Sequence, residues 1–204
     1  MPVMNRAARS TPPPESISGH AADNLRFIRQ AMERGSTFTA VPGVGGAAMG
    51  ATALVAAWLA SRQPTGDRWL LVWLGAAAVA AVIGLVTMAR KAKGAGATLT
   101  GGNARRFAVG LAAPFVAGAA ITYELWATRN FSVMAPAWLL LYGAGVLTGG
   151  IFSVAAVRLL GAALMVLGLL AILTPPDWGN VWLATGFGAL QIGFGIYIAR
   201  HHGG

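Results

Sequence analysis

Apolar residues fall along this chain in six long blocks separated by short polar stretches. The blocks run over 44–60, 69–88, 107–125, 135–152, 157–173 and 181–198. A helix needs roughly 20 predominantly apolar residues to cross a bilayer. Four blocks meet that length comfortably. The fifth, from Val157 or Leu159 to Leu173, reaches it only by starting near Val154 and letting Arg158 extend to the interface. The pattern predicts an all-α polytopic membrane bundle of six transmembrane helices over 41–200, with the lipid bilayer as its solvent.

The chain ahead of the blocks reads differently. Residues 1–15 are polar, and Pro12, Pro13 and Pro14 forbid a helix, which predicts a disordered cytoplasmic tail. Over 16–36, Ile17, Ala21, Leu25, Ile28 and Met32 recur at helical spacing and form one apolar stripe. Asp23, Arg26, Arg29, Gln30, Glu33 and Arg34 take the remaining faces, and Gly35 ends the segment. Such an amphipathic helix lies on a membrane surface, docks on a cytoplasmic protein partner, or packs on the end of its own bundle. Leu25, Arg26, Ile28, Arg29 and Met32 are its candidate contacts. The connector Phe38-Thr39-Ala40-Val41-Pro42-Gly43 follows, with Pro42 suited to a first helical turn. Residues 201–204 form a short tail after the last block.

Charge sharpens this picture. Only 10% of the 204 residues are charged, against about 25% in soluble domains, too few to cover a water-facing surface. The net charge of +9 comes from basic residues at block ends. Twelve of the fifteen Lys and Arg fall on one side of the alternating topology, which predicts both termini in the cytoplasm. No basic stretch is interleaved with aromatics, so nucleic acid is not an expected partner. There is no Cys, which excludes thiol and disulfide chemistry. The first apolar block begins too far from Met1, and is too long, for a signal-peptide core, so it is expected to act as the targeting signal itself. Trp69, Trp138 and Trp182 open the second, fourth and sixth blocks, which Arg90, Arg158 and Arg200 close, as three successive helical hairpins would require.

Few residues offer chemistry. Glu124 is the lone acidic residue within a block, placed close to the outer interface, where it can be hydrated or pair with Arg129. Gln191 lies mid-span in the sixth block, and a buried amide there must find a partner. Gly46-x-x-x-Gly50 and Gly145-x-x-x-Gly149 permit close helix packing, within one chain or in a homo-oligomer. Pro114 interrupts the third block. The run Gly43-Val44-Gly45-Gly46-Ala47-Ala48 imitates a dinucleotide fingerprint, but no strand precedes it and no βαβ unit is possible. His20, His201 and His202 lie outside the blocks, so no metal ligand set or haem ligand is expected, and no catalytic residues or cofactor are assigned.

The segment His20 to Arg34, the connector Phe38 to Gly43 and the ending Gly186-Phe187-Gly188-Ala189-Leu190-Gln191-Ile192-Gly193-Phe194-Gly195 resemble a family of uncharacterised bacterial multi-pass membrane proteins. The resemblance implies a bacterial cytoplasmic-membrane location and a setting in membrane-linked signalling, and it carries no catalytic residue. Together these readings lead us to expect a non-enzymatic, partner-binding or structural membrane subunit. The alternative expectation is a small transporter or channel using Glu124 and Gln191.

Overall fold

A computed structural model describes residues 41–94 and 102–202 and, ahead of them, Leu25, Arg26 and Ile28. The chain divides into two units, Met1–Ser36 and Thr37–Gly204. In the first unit Leu25, Arg26 and Ile28 are helical and exposed, at 67% for Leu25 and 52% for Ile28. Arg29, Met32, the tail 1–15 and the rest of the expected surface helix lie outside the described residues.

The second unit is built of helices. In order they are α1 (Gly43–Ala60), α2 (Gly66–Gly94), α3 (Gly102–Ala127), α4 (Met134–Gly150) and α5 (Ala155–Ile172). The chain then continues through α6 (Gly179–Leu183), a π-helical stretch (Ala184–Leu190) and α7 (Gln191–His202) as one sixth span. Short 3-10 turns, Phe131–Val133 and Pro176–Trp178, lead into α4 and α6. No strand occurs among the described residues. Among the described residues, six helices are long and apolar enough to cross a membrane, and the protein is an all-α polytopic membrane bundle. Helices suit that solvent because each satisfies its own backbone N–H and C=O groups. The fifth helix begins at Ala155, which puts an exposed Arg158 in its first turn and gives the span its missing length.

Packing is uneven. α1 lies against α2, the π-helical stretch and α7, and α4 lies against α3 and α5. Met134, Leu139, Leu164 and Leu183 are fully buried where α4, α5 and α6 meet. Elsewhere small residues bring backbones together. A Cβ on Gly161 would lie 2.4 Å from the Leu147 nitrogen, and one on Gly195 would lie 2.5 Å from the Ala47 nitrogen. By contrast, α2 and α3 do not pack along one another. The most apolar stretch of α3 has 0% of its residues buried, so away from its seam with α4 this helix meets its surroundings.

The two ends of the bundle differ in charge. Arg90, Lys91, Lys93, Arg105, Arg106, Arg158 and Arg200 gather at one end, where the Lys91 Nζ donates to the Val41 carbonyl at 3.0 Å. Arg62, Arg68 and Arg129 lie at the other. At that second end Trp69 stacks on Trp138, with centroids 5.6 Å apart and planes 10° from parallel. The Trp69 and Trp73 indoles both donate to the Asn180 Oδ1, at 2.9 and 3.1 Å, and the Asn180 amide donates to the Ala57 carbonyl at 3.3 Å. These bonds tie α2, α6 and α1 together where the sequence placed its interfacial tryptophans.

Candidate functional site

The separation of α2 from α3 leaves a cleft of about 960 Å³, which also reaches α1, α4 and the sixth span. That volume falls in the range of small-molecule sites, roughly 300–1,000 Å³. Its walls are apolar and aromatic, with Leu74 and Ala77 from α2, Phe115 from α3, Trp138 from α4 and Phe187 from the π-helical stretch among them.

One end of the cleft is closed by a polar latch between the two separated helices. Arg129 donates to both Asp67 oxygens, at 2.7 and 2.6 Å, and the Trp126 indole donates to Asp67 Oδ1 at 2.8 Å. The partner of Arg129 is therefore Asp67, the first-turn carboxylate of α2, and not Glu124. Glu124 lies one turn before the end of α3, is exposed, and is not part of the cleft wall.

The other end holds Gln191. It is 7% exposed, and its Nε2 donates to the Tyr142 hydroxyl at 3.0 Å, while no protein group reaches its Oε1. Tyr142 is clamped edge-on by Phe115, at 5.8 Å and 87°, and by Phe187, at 5.2 Å and 80°. Gln191 immediately follows the π-helical stretch, whose wider turn rotates every later side chain around the axis. Gly186 and Gly188 make room for neighbouring helices along that stretch, because a Cβ on either would lie 2.4 or 2.3 Å from Leu139 Cδ2 and Leu54 Cδ2, respectively.

The other sequence-derived candidates sit away from the cleft. A Cβ on Gly46 would meet Gly195 Cα at 3.5 Å, and one on Gly50 would meet Ile192 Cγ1 at 2.7 Å. Cβ atoms on Gly145 and Gly149 would come within 3.5 Å of Leu111 Cδ2 and 3.1 Å of the Phe107 carbonyl. Both glycine pairs thus line contacts inside the chain, between α1 and α7 and between α3 and α4. The structure brings Gln191 to the cleft and does not bring Glu124 to it. Asp67 and Tyr142 were not singled out from sequence. A hydroxyl-bearing aromatic inside an apolar block was the available signal for Tyr142. Among the described residues, no group of three or more His, Asp and Glu side chains could hold a metal ion.

Compared with family models, with curated proteins and with solved structures, the chain finds no match.

Proposed function

We propose that this chain is a non-enzymatic, multi-pass protein of a bacterial cytoplasmic membrane, both ends cytoplasmic, that receives a lipophilic molecule from the bilayer in the α2–α3 cleft. The cleft itself carries this reading. Two neighbouring helices stand apart over an apolar, aromatic surface, and a cavity of that kind in a bilayer opens to hydrophobic solutes rather than to ions. Of the ten described Lys and Arg in the bundle, seven lie at the end shared by the start of α1 and the end of α7, which supports the cytoplasmic placement of that end. The exposed Leu25 and Ile28 support residues 16–36 as the contact for a cytoplasmic protein.

The test is photolabelling of the full chain in nanodiscs with a diazirine-bearing hydrocarbon, followed by mapping of labelled residues. Labelling of Leu74, Ala77 and Tyr123 is expected to saturate and to yield to an unlabelled competitor. Labelling of Val109 and Leu169, exposed but away from the cleft, is expected to rise in proportion to the probe. The same linear rise at both sets would show that the cleft is merely solvated by lipid, and would refute the proposal.

A further inference from the structure

Resting on that reading of the cleft, we infer that the molecule it receives carries a hydroxyl group, and that Gln191 and Tyr142 bind that group. As the side chains stand, the Gln191 amide donates to the Tyr142 oxygen, which leaves Gln191 Oε1 as a free acceptor. The tyrosine O–H is then a free donor. With the amide turned over, the tyrosine O–H donates to Oε1, and the NH₂ becomes the free donor beside the remaining oxygen lone pairs. Either way the pair presents at least one unmatched donor and one unmatched acceptor side by side, the second amide N–H adding a further donor. A hydroxyl, donor and acceptor on a single atom, satisfies both. A ketone or ether oxygen accepts only, and would leave a buried acceptor unmatched at a cost.

The surroundings narrow the ligand further. Asp67 is already engaged by Arg129 and Trp126, and Glu124 lies outside the cleft wall, so no free carboxylate awaits a cation. Gln191 stands fifteen residues past Pro176 and ten before His201 in the sixth span, near its middle. At roughly 1.5 Å per residue this depth is well inside a hydrocarbon layer about 30 Å thick. A phosphate headgroup does not rest there, whereas the hydroxyl of an uncharged lipophilic alcohol or phenol reaches it readily. The ligand class is therefore a neutral lipophile with a hydroxyl, held head-inward with its apolar body along the walls of α2 and α3. A bound water offers the same two hydrogen-bonding roles, and the experiment separates it from the lipophile.

The experiment compares a long-chain alcohol bearing a mid-chain diazirine with its methyl ether, on the full chain in nanodiscs. The alcohol is expected to give saturable labelling at Leu74 and Ala77 at about tenfold lower concentration than the ether. Tyr142→Phe keeps the ring and its two edge-on neighbours, so the fold is retained. This variant is expected to bring the alcohol to the level of the ether and to leave the ether unchanged. Gln191→Leu is expected to do the same. Saturable labelling by both probes at equal concentration, or an alcohol preference that survives Tyr142→Phe and Gln191→Leu alike, would overturn the hydroxyl assignment, leaving a cleft whose polar pair serves water alone. Absence of saturable labelling by either probe would overturn the cleft reading as well.

Discussion

Arg129 adopts φ 59°, the one positive value at a non-glycine among the described residues. It follows the end of α3, where its N–H bonds the Trp126 carbonyl at 3.1 Å and the Asn130 N–H bonds the Leu125 carbonyl at 2.8 Å. This is the usual glycine-favouring close of a helix, with arginine in the glycine's place. The left-handed backbone costs roughly 1–2 kcal/mol for a residue with a Cβ. What the arginine returns is the bond to Asp67, at a solvent-exposed position where such pairs stabilise little. Arg129→Gly is thus expected to match or exceed the parent in thermal unfolding, followed by tryptophan fluorescence, and Arg129→Ala is expected to fall below Arg129→Gly by about 1 kcal/mol. If the alanine variant proved the more stable, the left-handed cap would be the wrong account. Asn180 is a second single-residue keystone. Asn180→Leu strips the partner from two indole N–H groups, one on the 4%-exposed Trp73, and should cost about 1–3 kcal/mol in the same assay. Sequence made Gln191 legible, because an amide amid apolar residues has no solvent to turn to. It hid Tyr142, whose ring reads as filling, and it misdirected Arg129. The carboxylate nearest along the chain was Glu124, whereas the one that meets Arg129 lies 62 positions away on another helix.

At the level of elements, the glycines divide into those that permit contact and those that face open space. Gly193 and Gly195 stand two residues apart in α7, yet a Cβ on Gly193 would meet nothing within 4 Å, and one on Gly195 would strike the α1 backbone at 2.5 Å. Gly195→Ala should destabilise the protein by about 1–3 kcal/mol through overpacking. Gly193→Ala should be neutral or stabilise by up to about 1 kcal/mol through helix propensity. Equal thermal midpoints for the two variants would show that α1 and α7 do not approach as closely as described. All six spans could be read from the apolar blocks, with limits shifted by a few residues, because the bilayer imposes length and polarity so strictly. The π-helical stretch could not. Its residues follow the same apolar pattern as an ordinary helix, and the close approach of Leu139 and Leu54 at Gly186 and Gly188 comes from other helices.

For the molecule as a whole, the absence of Cys makes topology directly measurable. With both ends cytoplasmic, Pro64→Cys, in the connector before α2, should react with a membrane-impermeant maleimide in intact cells. Gly94→Cys, at the far end of that helix, should react only after permeabilisation. The opposite pattern would invert the proposed orientation. A different consequence follows from how the helices choose their neighbours. α2 keeps company with α1, and α3 with α4, so between Gly94 and Gly102 the polypeptide passes from one partnership to another. The first partnership is also joined to the rest of the bundle where α1 lies against α7. A gene divided at that point and translated as two separate polypeptides should therefore yield a complex that co-purifies, held by the seam of α1 with the sixth span.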